Sequence, residues 1–145
     1  MQKKYSLTDG SLRESGDENP AVRLFVDPDP GERRYLLSDL GIGGHTLDSA
    51  LDPDELSRVE FEDSHAAVLF KRPRNYSSKD NYLFKVGSCG LFLFKDLLVI
   101  VMAEDVPVFD RKIFERVASL NELFHLRNAF PDPIEARVLH LFIQL

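Results

Sequence analysis

The chain has 145 residues, which suits a single domain with a buried core. Its formal net charge of −6 argues against a general nucleic-acid-binding protein, because contacts to phosphates require clustered Lys and Arg. The excess of acidic over basic residues lies in the first part of the chain, since residues 1–55 hold 12 of the 24 acidic residues and only 6 of the 18 basic ones. Such an acidic half is typical of a solvated face or of a surface that attracts cations.

The N-terminal part is predicted to contain strands and two short helices. Residues 1–20 are polar and form a separate strand or loop segment, compatible with a short strand before Asp9. Residues 21–27 combine β-branched and aromatic side chains and predict a strand. A helix is expected over residues 32–40 and a second over residues 46–51, because the intervening glycines interrupt the pattern. The apolar positions of the first helix are Tyr35, Leu36, Leu37 and Leu40.

The middle of the chain is predicted to be a series of strands. One is expected over residues 59–72 and another from residue 82 to 86. Two more, over residues 91–94 and 97–102, join at Lys95-Asp96. Because both are apolar at every position, they are predicted to be central strands covered on both faces.

This apolar region has two further implications. The longest apolar run, residues 91–103, includes two charged residues and is shorter than the roughly 20 residues of a membrane-spanning helix. It is therefore not expected to cross a bilayer. Cys89 is the only cysteine, so an internal disulfide is excluded, and its apolar neighbours predict a buried side chain.

The C-terminal part changes to helical periodicity. Ile113, Val117, Leu120 and Phe124 follow the spacing of an amphipathic helix. A second helix is expected over residues 133–145, because Asp132 can cap it and Pro133 suits its first position. That helix has no glycine, basic last turn or polar tail to end it. We therefore expect residues 21–132 to form the domain, and residues 133–145 to begin a helix that continues in a longer parent protein.

The sequence contains little that indicates catalysis. Its four histidines are not spaced as metal ligands, and it has neither a nucleotide-binding glycine loop nor a GxSxG serine. We therefore expect no enzymatic activity and no tightly bound cofactor. The remaining cluster is acidic, and Asp48 and Asp52, four residues apart, are its candidate Mg²⁺ ligands. Its other members are Asp54, Glu55, Glu60, Glu62 and Asp63.

The order of several short blocks resembles that of the cytoplasmic domain of CorA-type divalent-cation transporters. The blocks are Phe25-Val26-Asp27, Gly41-Ile42, Leu47-Asp48-Ser49-Ala50-Leu51 and Ser57-Arg58-Val59-Glu60. The resemblance extends over residues 21–145. It implies a mixed α/β fold, in which a mixed β-sheet is layered between helices.

The resemblance also implies a function and partners. Proteins of this family assemble as homopentamers around a pore in the cell membrane and move Mg²⁺ or related divalent ions. The domain on the cytoplasmic side would sense ions and gate the pore through divalent ions bound between subunits. The pore-mouth Gly-Met-Asn motif does not occur in this chain, so the chain alone would not conduct ions.

One departure from the family pattern affects the ion site. In the family, the short helix carries two adjacent acidic residues, and the second can bind Mg²⁺ between subunits. The corresponding residues here are Asp48 and Ser49, and serine is a poor substitute for a carboxylate. Asp48 remains, but points about 100° away around a helix. The resemblance also implies that the partner carboxylate comes from a stalk outside this chain, so the isolated chain is expected to bind Mg²⁺ weakly, in the millimolar range or worse. The alternative hypothesis is a free-standing soluble binding or scaffold module whose acidic half is the partner surface.

Overall fold

The computed structural model describes residues 1–8, 11–73 and 86–105, and these residues form one mixed β-sheet with helices on one face. In chain order the elements are β1 (Gln2–Thr8), β2 (Ser11–Glu14), β3 (Val22–Val26), α1 (Pro30–Arg34), a π-helical turn (Tyr35–Asp39), α2 (Gly44–Leu51), β4 (Arg58–Phe61), β5 (His65–Pro73), β6 (Val86–Phe94) and β7 (Leu98–Met102). The predicted helices over residues 113–124 and 133–145, and most of the predicted strand 82–86, lie outside the described residues.

The seven strands lie in the order β2-β1-β3-β7-β6-β5-β4. Strands β4, β5, β6 and β7 are successive antiparallel neighbours, and so are β2, β1 and β3. The two groups meet at β3 and β7, which run parallel, with Val22 opposite Leu98 and Val26 opposite Met102. The strands predicted over residues 21–27 and 97–102 are thus confirmed, as is a strand before Asp9. The strand predicted over residues 91–94 is also present, but it begins earlier, at Val86, because the ladder with β5 is continuous from there.

Both faces of the central strands are buried, as their uninterrupted apolar sequence predicts. Alternate residues of β7 belong to two separate apolar clusters, and every side chain of this strand is buried. One cluster joins the sheet to the helices and contains Phe25, Leu36, Ile42, Leu47, Ala50, Ala67, Leu69, Phe92, Val99 and Val101. The other lies on the opposite face and includes Leu24, Val68, Leu91 and Ile100, together with Cys89, which is buried as predicted.

The helix predicted over residues 32–40 begins earlier than predicted, and its second half is π-helical instead of α-helical. Asp29 caps α1 through a reciprocal pair of hydrogen bonds with Glu32, which places the start at Pro30. The backbone then widens into a π-helical turn, in which the Leu40 N–H donates to the Tyr35 carbonyl. Leu36 is fully buried, whereas Leu37, predicted as an inward position, is 39% exposed. Adjacent helical residues point about 100° apart, so both cannot face the sheet.

The strand predicted over residues 59–72 is in fact two strands. β4 and β5 form an antiparallel pair, with Arg58 opposite Leu69 and Phe61 opposite Ala66. The chain reverses at residues 62–64, where the Glu62 N–H donates to the His65 carbonyl at 2.9 Å. These three residues are polar and exposed, so the turn takes the charged side chains out of the sheet.

The end of the first helical segment depends on a glycine. Gly41 has φ +70°, a left-handed conformation that only glycine adopts without strain, and the chain then enters α2 at Gly44. The second predicted helix, residues 46–51, is confirmed with this earlier start. Of the segments that the structure describes, none is a helix long and apolar enough to cross a membrane.

Candidate functional site

The candidate site lies where α2 meets the edge strand β4. Leu47 and Ala50 are buried on the side of α2 that packs on the sheet. Thr46 and Ser49 are also buried, at 8% and 3% exposure. Their hydroxyl groups hydrogen bond to charged side chains that follow α2 in the sequence. We call this set the α2–β4 network, and its members are Thr46, Ser49, Glu55, Arg58 and Glu60.

Arg58 is the centre of the α2–β4 network. Its Nε donates to Glu60 Oε1 at 2.6 Å, and its Nη1 lies 2.9 Å from Glu55 Oε1. Its Nη2 donates to Ser49 Oγ at 3.0 Å. Ser49 in turn donates to Glu55 Oε2 at 2.9 Å, and Thr46 donates to Glu60 Oε2 at 2.8 Å. The guanidinium therefore joins two carboxylates, and the two helix hydroxyls complete their hydrogen bonding.

These contacts stabilise the charged forms of all three ionisable groups. The Ser49 hydroxyl, and then the Leu56 N–H, lower the pKa of Glu55. Partial burial would raise the pKa of Glu60, but the hydrogen bonds from Arg58 and Thr46 outweigh it and the pKa is lowered. The hydrogen bond to Glu60 is the largest cause of the raised pKa of Arg58. The α2–β4 network is consequently ionised at neutral pH.

The predicted ligands Asp48 and Asp52 are not in this network. Asp48 lies on the exposed side of α2, and its carboxylate forms an ion pair with Arg33 of α1. Asp52 is the C-terminal cap of α2, and its Oδ1 accepts the Asp54 N–H at 2.9 Å. The backbone of Asp52 has left the helical conformation, with ψ 115°, so the two carboxylates do not continue one helix face.

The donors of Asp48 and Asp52 do not by themselves form a complete site for a divalent ion. Within the described ranges, no three His, Cys, Asp or Glu side chains are grouped so that they could hold a metal. The Asp48 carboxylate already has a cationic partner, and one oxygen of Asp52 is used in its own turn. The donors of one chain therefore do not make a complete site, and Mg²⁺ binding by Asp48 and Asp52 stays a prediction.

Sequence reasoning missed three members of the α2–β4 network. Glu55 and Glu60 were included in the acidic cluster, but Thr46 and Arg58 were not, and Ser49 was considered only as a lost ligand. One signal was available for Arg58. Residues two apart in a strand point to the same face, so a strand over residues 58–61 would have predicted that Arg58 lies beside Glu60.

A second polar group is buried near the same sheet edge. His65, at the start of β5, is 1% exposed, and its ring stacks on Phe94 with centroids 4.7 Å apart. Its Nδ1 is 3.0 Å from Ser64 Oγ, whereas its buried Nε2 has no hydrogen-bond partner in the described structure. Burial is the largest cause of the lowered pKa of His65 and outweighs the nearby charges of Glu62 and Glu60. The imidazole is therefore neutral in the folded protein at neutral pH.

Comparison with known proteins identifies the fold. No protein-family model and no curated protein matches the chain. Among solved structures, the soluble domain of CorA from Methanocaldococcus jannaschii matches with a TM-score of 0.53 and 18% identity over 91% of this chain. The complete CorA magnesium transporter from the same organism gives 0.54 and 20% over 99%. The ZntB cytoplasmic domain from Vibrio parahaemolyticus gives 0.51 and 16% over 83%.

These matches define the molecule as a mixed α/β domain with the fold of the CorA-like cytoplasmic domain. The fold that the sequence resemblance implied is thereby confirmed. The chain spans 47%, 43% and 49% of those three solved chains, so it corresponds to less than half of each. One of the two CorA structures is of a complete magnesium transporter and the other is of a soluble domain, and the expectation that this chain has no enzymatic activity stays a prediction.

Proposed function

We propose that this chain is the cytoplasmic regulatory domain of a CorA-type transporter of divalent cations. The observation that carries the proposal is the likeness in fold to a complete magnesium transporter over 99% of this chain. The block order in the sequence, from Phe25 to Glu60, supports the proposal independently of the fold. The domain would lie on the cytoplasmic side of the cell membrane, in a homopentamer whose pore is formed by other parts of the protein.

In this proposal the domain controls the pore by a population shift. A divalent ion that bridges two subunits favours the closed state only to the extent that it binds that state more tightly. Mg²⁺ keeps several of its waters and commonly takes one or two protein carboxylates, so each subunit need supply few ligands. Asp48 is suited to this role because its side chain is 67% exposed and can face a neighbouring subunit. Asp52, at the exposed end of α2, is the second candidate.

The parent reading frame gives the first test of this function. Downstream of residue 145 it should encode a long helix followed by two apolar spans of about 20 residues each. A reading frame that closes within a few codons would contradict the proposal and favour the free-standing binding or scaffold module.

Transport gives the second test. The complete protein is purified and reconstituted into liposomes that contain a fluorescent Mg²⁺ indicator. Uptake should occur, and it should fall as Mg²⁺ is raised on the side that the domain faces. A complete protein that inserts correctly but moves neither Mg²⁺ nor Co²⁺ would contradict the transporter assignment, whereas transport without any dependence on Mg²⁺ would contradict only the regulatory role.

A further inference from the structure

Arg23 is a half-buried arginine of β3 whose contacts in the described structure are all with uncharged groups. Its Nη1 donates to the Tyr35 hydroxyl at 2.6 Å, and its Nη2 donates to the Glu18 carbonyl at 2.9 Å. Its guanidinium carbon lies 5.1 Å from the centre of the Tyr35 ring, on the face of the sheet that carries the helices. Its Nε is buried and has no hydrogen-bond partner among the described residues. A cation that has lost part of its hydration without gaining a carboxylate lacks a counter-charge.

Two further cations lie on the same face as Arg23. Lys4 of β1 is directly opposite Arg23 in the antiparallel pair of β1 and β3, so the two side chains share one face of the sheet. Arg13 of β2 is directly opposite Ser6, which is two residues from Lys4 in β1, and it therefore shares that face as well. Like charges directly opposite each other in a sheet are destabilising. An anion placed between Lys4 and Arg23 would remove this repulsion.

The carboxylates of the described residues do not neutralise these cations. None of the ion pairs in that part of the chain includes Lys4, Arg13 or Arg23. The hydrogen bonds place one carboxylate beside them, that of Asp17, which accepts from the Ser6 hydroxyl at 2.6 Å. Three cations are thus accompanied by one carboxylate, and this face carries a surplus of positive charge in an otherwise acidic half of the chain.

We propose that Lys4, Arg13 and Arg23 form a binding site for a phosphate group, which we call the β1–β3 basic site. A phosphate group suits these residues because it is multiply charged and its oxygens accept several hydrogen bonds, which guanidinium groups donate in a matching planar arrangement. The inference rests on the contacts and strand register of the described residues. It holds whether or not the complete protein transports ions.

The hydrogen-bond donors needed for a phosphate group are present at the β1–β3 basic site. The bonds to Tyr35 and Glu18 leave further N–H groups of the Arg23 guanidinium without an acceptor. The Tyr35 oxygen accepts from Arg23, and the described contacts give its own proton no acceptor. Lys4 adds a flexible ammonium with three donors. Soluble phosphate compounds and phospholipid headgroups both carry the required group, and the experiment separates these two sources.

Pyrophosphate is the probe for a soluble ligand. It is titrated into the isotope-labelled chain at constant ionic strength, and the backbone amide signals are followed by NMR. The signals of Lys4, Arg13 and Arg23 should shift together, with a Kd of about 1 mM or tighter. Lys4→Gln should weaken binding about tenfold, because it removes one of the three charges at the site. Lys71→Gln, at an exposed lysine of β5 three strands away from β3, makes the same change in charge and should leave the affinity unchanged.

Vesicles test the lipid source. Co-sedimentation with phosphatidylglycerol vesicles that is absent with phosphatidylcholine vesicles, and is reduced in Lys4→Gln, would assign the site to a headgroup. Pyrophosphate binding without co-sedimentation would assign it to a soluble ligand.

A second variant keeps the test decisive if Lys4→Gln does not fold. Arg23→Lys keeps the charge but loses the planar donor arrangement, so it should also bind the probe more weakly than the unchanged protein. The proposal is overturned if neither pyrophosphate nor the anionic vesicles bind. It is also overturned if Lys71→Gln weakens binding as much as Lys4→Gln, because the attraction would then follow total charge and not this site.

Discussion

Gly90 of β6 lies directly beneath Ala50 of α2. A Cβ atom placed on Gly90 would come within 2.6 Å of the Ala50 Cβ and 2.9 Å of the Phe92 ring. Atoms of this kind do not approach so closely, so the absence of a side chain at residue 90 sets how near the helix comes to the sheet. The position of α2, and with it the α2–β4 network, depends on this contact.

Gly90→Ala is expected to destabilise the protein by about 1–3 kcal/mol, because an extra methyl group must push α2 away from the sheet or distort Phe92. Urea unfolding followed by circular dichroism measures the change. Gly16→Ala is the matched control, since a Cβ at Gly16 would meet no atom within 4 Å. Equal stabilities of the two variants would show that the helix does not rest on β6 as described.

The Asp29 cap gives a second prediction. Asp29 Oδ1 accepts the Glu32 N–H at 2.8 Å, and the Asp29 N–H donates to Glu32 Oε2 at 3.0 Å. Removing the carboxylate by Asp29→Ala should cost about 1 kcal/mol of unfolding free energy, because a helical N–H loses its partner. Asp39→Ala, at an exposed carboxylate of the π-helical turn, should cost clearly less. A loss no greater than in this control would contradict the capping role.

Because His65 is buried, we expect the protein to become less stable in mildly acidic solution. Burial lowers the pKa of His65 below its ordinary value of 6.5, so the unfolded chain binds a proton that the folded protein excludes. The contribution of this residue is therefore fully present above pH 6.5 and is lost as the pH falls from 6.5 towards the lower folded pKa. Urea unfolding at pH values on either side of this window measures the loss.

A variant isolates the histidine from the carboxylates that titrate at lower pH. His65→Phe keeps an aromatic ring against Phe92 and Phe94 and removes the unpartnered Nε2, so it should unfold with little change in free energy across this window. His45→Gln removes an imidazole from an exposed position of α2 and should keep the pH dependence of the unchanged protein. A pH dependence that survives in His65→Phe would assign the effect to another group.

Asp48 gives a prediction that links the structure to the proposed regulation. Both side chains of its ion pair with Arg33 are exposed to solvent, Arg33 at 37% and Asp48 at 67%. Exposed ion pairs contribute little, so Asp48→Asn should change the free energy of unfolding by no more than about 0.5 kcal/mol. In the complete protein the same substitution should change the Mg²⁺ concentration that inhibits transport. Asp39→Asn is the control for the loss of one exposed charge. Unchanged Mg²⁺ sensitivity would make Asp48 a surface residue without a regulatory role.

Much of the fold could be predicted because its strands are strongly apolar and its turns carry glycine or proline. Residues 91–94 and 97–102 were recognised as central strands from composition alone, and Gly41 was recognised as a break between helices. The division of residues 59–72 into β4 and β5 was missed, because Glu62-Asp63-Ser64 is a turn without glycine or proline. The π-helical turn was missed because its backbone widening leaves no pattern in local sequence.

The candidate site was less predictable, since its contacts join residues from different elements. Acidic residues near α2 could be listed from the sequence, but nothing local indicates that Asp48 pairs with Arg33 fifteen residues earlier. Burial of Ser49 and Thr46 likewise depends on how α2 lies against β4 and β6. The sequence therefore identified the acidic character of the region and not the arginines that neutralise it.

The parallel pairing of β3 with β7 has a consequence for how the sheet assembles. Every other strand pair joins neighbours in the chain or, for β1 and β3, strands separated by β2 alone. Aligning Val22 with Leu98 instead requires distant parts of the chain to meet, at a greater entropic cost of closure. We expect the N-terminal three-stranded unit and the four-stranded meander to be the earlier folding units, with the seam between them closing last and limiting the rate.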